Sequence, residues 1–261
     1  MNSPSLACMA SLAGMNLRAD MSQRLAGYHG VYSHHRDVQG GAARAAVFGI
    51  SDGLLTNVSL ILGVAGAGPA AGVVRLAGLA GLVAGAFSMA AGEFVSMSAQ
   101  KELLEHELDI ERRELERHPE AETRELAATF QSRGIEPDDA HRVAAAIMRD
   151  PDVALDVHAR EELGVRPGQT GSPWQAALSS FVSFAVGALI PLMPWFFTSG
   201  RTALIASVLL GASSALAIGW TVAIFTERSR VMSAVRQLGI AAIAASVTYG
   251  IGLAVGVHTS A

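Results

Sequence analysis

Five long stretches of this chain carry almost no charge, and that feature decides what it can fold into. Residues 45–74 hold one charged side chain, Asp52, and residues 76–92 hold none. No charge lies between Arg166 and Arg201, where 174–197 is the apolar heart. Residues 202–226 are uncharged, as are 237–261 apart from His258. About 20 predominantly apolar residues cross a bilayer core, and a helix satisfies its backbone polar groups there without water. An all-α integral membrane protein with five transmembrane helices follows. Gly66-Ala67-Gly68-Pro69, Thr198-Ser199-Gly200 and residues 226–229 supply the tight links of a bundle.

Only 16% of residues are charged, against about a quarter in a soluble domain, and the charges are unevenly placed. Residues 100–165 carry eighteen acids and nine bases, while the remainder carries five acids and ten bases. The chain therefore divides into a flexible tail (1–38), helices 1 and 2 (39–99), an acidic helical domain (100–165) and helices 3 to 5 (166–261). Cys8 is the only cysteine, which removes disulfides and thiolate metal sites. The first fifteen residues lack the basic start of a secretory signal. The tail holds His29, His34 and His35, which in a Gly- and Ser-containing segment read as solvated rather than ligating.

An even–odd passage puts Arg18, Arg24, Arg36, Arg44, Arg228, Arg230 and Arg236 on the side of the acidic domain. The opposite side has only Arg75 and Arg201. The positive-inside rule makes the acidic domain cytoplasmic. Trp174, Trp195 and Trp220 lie near expected helix ends, where aromatic rings prefer the interface. Gly49–Gly53, Gly81–Gly85 and Gly252–Gly256 are small-xxx-small pairs that permit close helix approach. They make a homodimer plausible as well as intrachain packing.

Asp52, in Gly49-Ile50-Ser51-Asp52-Gly53, sits at membrane depth. A carboxylate there is expensive and marks an ion path, a proton relay or a satisfied packing contact. Asn57 and Ser59 extend a polar lining along the same helix. Met89 offers a soft thioether that suits a transition metal, although a lone methionine more often fills core space. Glu93 is either a receiving ligand at the end of the second helix or an interfacial charge.

In the acidic domain, Glu102, Glu105, Asp109 and Glu116 fall within about 60° of one another at helical spacing. Leu104, Leu108 and Leu115 form a separate apolar stripe. Carboxylates stacked without interleaved bases repel one another, and a bound cation relieves that cost. Glu107, Glu111 and Glu114 form a second acidic face, diluted by arginines. Pro119 ends the helix; shorter helices are expected over 120–133, 137–149 and 151–163. His158 and Glu162 share a face of the last one at i, i+4, as paired metal ligands must. A di-iron oxidase needs Glu-x-x-His on two helices; this chain has none, with Asp138–His141 the nearest approach. No nucleophile elbow, P-loop or dinucleotide fingerprint appears, so the chain does not read as an enzyme.

Three runs together carry a family resemblance: Gly49-Ile50-Ser51-Asp52-Gly53-Leu54, Val83-Ala84-Gly85-Ala86-Phe87-Ser88-Met89-Ala90-Ala91-Gly92-Glu93, and Leu155-Asp156-Val157-His158-Ala159-Arg160-Glu161-Glu162-Leu163-Gly164. The sequence resembles the vacuolar iron transporter (CCC1) family in motifs and in helix order, over about residues 35–256. The resemblance implies a five-helix homodimer that exchanges cytosolic Fe²⁺ for protons, with Asp52 and Met89 lining the ion path. It implies metal collection on Glu102, Glu105 and Glu116, with His158 and Glu162 as ligands from the last acidic helix. Arg113 stands where relatives often have another glutamate, so Glu114 or Asp109 takes its place or a site is lost. His158-Ala159 replaces a methionine pair of some eukaryotic relatives, which leaves iron against manganese open. Gly81 replaces an acidic residue found in some members.

The expected partners are the lipid bilayer, a second copy of the chain, protons and a divalent metal, with no nucleic acid. No prosthetic group is expected; Fe²⁺, with Mn²⁺ or another divalent ion as the alternative, is cargo. A bacterial chain would sit in the plasma membrane and a eukaryotic one in a vacuolar or organellar membrane. The rival reading is a membrane-anchored metal buffer or sensor that binds without transporting.

Overall fold

The structure, a computed structural model, describes residues 41–165, 171–226 and 228–259. The expectations for the tail, its histidines and Cys8 lie outside these residues. The described residues form helices and no strand: α1 Gly41–Gly66, α2 Ala71–Arg117, α3 Pro119–Ser132, α4 Pro137–Ile147, α5 Pro151–Glu161, α6 Pro173–Leu192, α7 Pro194–Phe197, α8 Gly200–Thr226 and α9 Arg230–Thr259. Five of them, α1, α2, α6, α8 and α9, are long and apolar enough to cross a membrane.

Local chemistry sets the boundaries. Helices α3 to α7 each open on a proline, whose missing N–H costs nothing in a first turn. The side chains of Glu136, Asp150 and Ser172 accept hydrogen bonds from the first-turn amides of α4, α5 and α6, satisfying donors that the helix cannot. Gly134, at φ +92°, makes the reversal between α3 and α4, a conformation that costs other residues more.

Helix α1 is the hub of the bundle, packed by α2, α6, α8 and α9. Its contacts depend on absent side chains. A Cβ on Gly53 would strike the Phe184 main chain, and one on Gly187 the Ile50 carbonyl. On the other side of α1, a Cβ on Gly252 would strike the Gly63 carbonyl and one on Gly256 would crowd Ala67. Gly85 of α2 accommodates the Phe184 ring. All three small-xxx-small pairs are thus used within one protomer, and they no longer argue for a dimer. Outward, α9 exposes Ile243, Val247, Ile251 and Val255 along one stripe, a face suited to lipid and not to water.

Helix α2 is about 70 Å long at roughly 1.5 Å per residue, far more than a crossing needs. Its uncharged part, residues 76–92, gives way at Glu93, and the helix continues without a break as the acidic segment to Arg117. The boundary expected at residue 100 therefore falls inside one rigid rod. At the foot of α6, Phe94 packs on Trp174 with ring centroids 4.7 Å apart. At its far end the apolar stretch 174–197 is broken at Met193, because Pro194 has no N–H for the carbonyl one turn back. Near this break the Pro191 carbonyl accepts a bond from Ser207 Oγ of α8 at 2.7 Å. Trp195, expected at the interface, is instead buried with Ile61, Val74, Leu192 and Ala203; Trp174 and Trp220 are exposed.

Candidate metal centre

The short helices fold back on the distal half of α2. Leu126, Ala127 and Ala144 form a small core, with Phe130, Ile147 and Val157 packed on it. An Arg133–Glu161 ion pair ties the end of α3 to α5. This packing buries two helix positions that the sequence fills with Glu122 and His158. Glu122 occupies the α3 stripe that continues as Leu126 and Phe130, and His158 occupies the α5 stripe between Ala154, Leu155 and Ala159.

Glu111 of α2, Glu122 of α3, and His158 and Glu162 at the end of α5 thereby converge. Each offers one ligand atom, and these atoms lie within 4.8 Å of one another. His158 Nδ1 is 3.1 Å from both Glu111 Oε1 and Glu162 Oε1, and 3.8 Å from Glu122 Oε2. Metal–ligand distances of about 2.1 Å put opposite ligands roughly 4.2 Å apart, so small side-chain rotations would close the set on an ion. The imidazole is fully buried, while Glu162 is a third exposed and is the most exposed of the four. Of the two near carboxylates only Glu162 Oε1 has hydrogen-bond geometry to Nδ1; Glu111 Oε1 and His158 Nε2 have no hydrogen-bond partner among the described residues.

Three carboxylates around one imidazole are electrostatically unbalanced. Burial pushes the Glu111 carboxyl above its usual range, and the Glu162 carboxylate pushes it further; His158 opposes the rise. Glu122 is raised chiefly by burial and then by Glu125, again with His158 opposing and Glu114 adding a smaller push. A divalent cation would replace this repulsion with attraction and favour the ionised carboxylates. Oxygen and imidazole donors without a thiolate suit Fe²⁺, Mn²⁺ and Zn²⁺ alike.

Of the expected acidic ligands, the structure brings together His158 and Glu162. Glu102, Glu105, Asp109 and Glu116 point into solvent, with Lys101 beside Glu105 and Arg112 beside Asp109. Glu114 is half-buried and 3.8 Å from His118, at the rim near Glu122. Arg113 is exposed and does not enter the cluster. Sequence reasoning put Glu111 on a secondary face and did not single out Glu122. The available signal was a glutamate on the Leu126/Phe130 stripe, a core position that a solvated carboxylate would avoid.

In the bundle, Asp52 is half-buried and accepts a long bond from Thr56 Oγ1 at 3.5 Å. Next to it, Ser51 accepts a 2.5 Å bond from Gln237 Nε2 of α9. Asn57 is fully buried and donates from Nδ2 to the Ala188 carbonyl at 2.5 Å. Met89 packs on the Ala86–Phe184–Ala188 cluster, and Glu93 is half-buried where α2 leaves its apolar part.

Five helices able to cross a membrane, joined to a buried carboxylate–imidazole cluster, define a class: a multi-pass helical membrane protein with an acidic helical extension. A sequence profile of the VIT family matches residues 43–253. Vacuolar iron transporter 1 of Eucalyptus grandis is 31% identical over 93% of this chain and 96% of its own length. Vacuolar iron transporter 1 of rice is 30% identical over the same shares. The vacuolar iron transporter of Acanthamoeba castellanii is 34% identical over 84% of this chain and 81% of its own. The chain belongs to the VIT family, and is a transporter and not an enzyme.

Proposed function

We propose that this protein exports Fe²⁺ from the cytosol in exchange for protons. The observation that carries the reading is the four-ligand cluster of Glu111, Glu122, His158 and Glu162, built on the same continuous helix that crosses the membrane as α2. The acidic domain is cytoplasmic in this reading and concentrates the ion at the mouth of the bundle. Glu93, at the junction, receives it; Asp52, Asn57 and Met89 line the way through. Protonation of Asp52 alternates with metal binding, so that proton movement inward drives metal movement outward. The names of the relatives support iron as cargo. A homodimer and a vacuolar or other organellar membrane are part of the same reading.

A second reading keeps the fold and changes the ion. The cluster contains no thioether or thiolate, and imidazole with carboxylates accepts Mn²⁺ readily. Proteoliposomes with an acidic interior test both readings. Fe²⁺ uptake that needs the gradient, and is not matched by Mn²⁺, supports iron export. Binding without uptake of either ion would leave only an anchored buffer.

A further inference from the structure

We infer that Asn57 supplies a neutral oxygen ligand to the transported cation at a second stop in the membrane, beyond Asp52. The inference rests on the transport reading above and deepens it.

The side chain is fully buried, and its amide cannot turn. Nδ2 is held by the Ala188 carbonyl of α6 at 2.5 Å, which fixes Oδ1 on the other side. Oδ1 then has no hydrogen-bond partner among the described residues. It faces α2 at Gly81, where an added Cβ would come within 3.2 Å of it. No side chain of residue 81 covers it. Leaving a buried acceptor unpaired is costly, whereas a leucine of similar size would fill the same space with no polar atom to satisfy. Around Asn57, the bundle uses apolar residues such as Leu54, Val58 and Ile61. A polar group kept at such a place marks a pathway or partner.

Position separates this oxygen from the carboxylate. Asn57 lies five residues beyond Asp52, about 7.5 Å further along α1 and roughly 140° around it. It is therefore not a second arm of the Asp52 site. An amide does not titrate in the working range, so it cannot carry the coupled proton. What an amide oxygen can do is replace part of the hydration of a hard or borderline cation. A neutral ligand also holds the ion weakly enough to let it leave, which a second carboxylate in a dry bundle would not.

Asn57→Leu and Gly81→Ala, each with Asp52 intact, test this in proteoliposomes under an acidic-inside gradient with Fe²⁺ as the probe. Turnover should fall at least tenfold in Asn57→Leu, with an unfolding temperature in detergent no lower than wild type and metal still bound by the acidic domain. Gly81→Ala leaves the Asn57–Ala188 bond in place and places a methyl against Oδ1 and the flexible end of Leu60; its turnover should fall severalfold. Wild-type turnover in a folded Asn57→Leu protein overturns the inference, and so does wild-type turnover in Gly81→Ala if the leucine variant does not fold. Asn57→Leu protein with a lowered unfolding temperature but an unchanged rate per folded molecule assigns the residue to packing and also overturns it. Failure of the wild type itself to take up Fe²⁺ would instead sink the transport reading.

Discussion

The membrane bundle and the acidic domain both bury polar groups, and they do so by opposite means. In the bundle, buried polar side chains are neutral and few, such as Asn57, Ser180 and Ser207, and helices touch through bare glycine backbone. Asp52, the carboxylate within the apolar part of α1, is only half-buried. In the acidic domain, three carboxylates surround a fully buried imidazole, although the chain has water beside it to choose from. Charge is thus sparse in the bundle, with Asp52 in the apolar part of α1, and crowded together in the acidic domain, where a cation could compensate it. In the proposed function the first region lets an ion pass and the second holds one.

The contrast is most easily broken at α1. Asp52→Asn should abolish gradient-driven Fe²⁺ uptake while leaving metal binding to the acidic domain within twofold of wild type, measured by uptake and by equilibrium binding on the same protein. Gly53→Val comes next. Its side chain would meet the Phe184 main chain, and overpacking of this kind costs about 1–3 kcal/mol or more; a lower unfolding temperature in detergent checks it. Removal of a cluster ligand is expected to act on binding instead. His158→Ala or Glu122→Gln should weaken Fe²⁺ binding by at least about tenfold, read by titration, with the bundle still folded.

How far these regions were legible in the sequence differs for a physical reason. The crossing helices were visible because lipid solvates a whole face, so composition alone identifies them; α1, α2, α6, α8 and α9 fall where the uncharged stretches lie. The break at Pro194 and the burial of Trp195 depend on what α8 offers across the bundle, and a single-helix reading did not contain that. In the acidic domain the helix limits were legible from Pro119, Gly134, Pro137 and Pro151. The cluster was half legible. His158 and Glu162 share a turn, but Glu111 and Glu122 meet them only through the packing of α2, α3 and α5. The richest acidic face, Glu102 to Glu116, has the higher charge density in the sequence, and its carboxylates are exposed.

Two smaller effects sharpen the comparison. Glu111 and Glu122 are both held above the usual carboxylate range, first by burial. A raised value in the folded state means that their contribution to the metal-free domain is fully present at acid pH, below the unfolded value. It is lost as pH rises through the raised folded value. Metal-free protein should therefore lose stability with rising pH in that window, and Glu111→Gln should flatten the slope. Metal affinity should move the other way, since binding needs the ionised carboxylates. The smallest change is expected for Glu102→Gln, Glu105→Gln and Glu116→Gln, exposed positions whose substitution should leave stability within about 0.5 kcal/mol and Fe²⁺ affinity within twofold.

The division between a holding region and a passing region is tested most directly by comparing Asp52→Asn with a double Glu122→Gln, His158→Ala protein in one proteoliposome experiment. Initial Fe²⁺ uptake under an acidic-inside gradient is measured at low and at saturating Fe²⁺. The account predicts no uptake by Asp52→Asn at either concentration, and uptake by the double variant that is weak at low Fe²⁺ and recovers toward wild type at saturation. Uptake by Asp52→Asn at the wild-type rate, or a double variant as inactive at saturating as at low Fe²⁺, would contradict it.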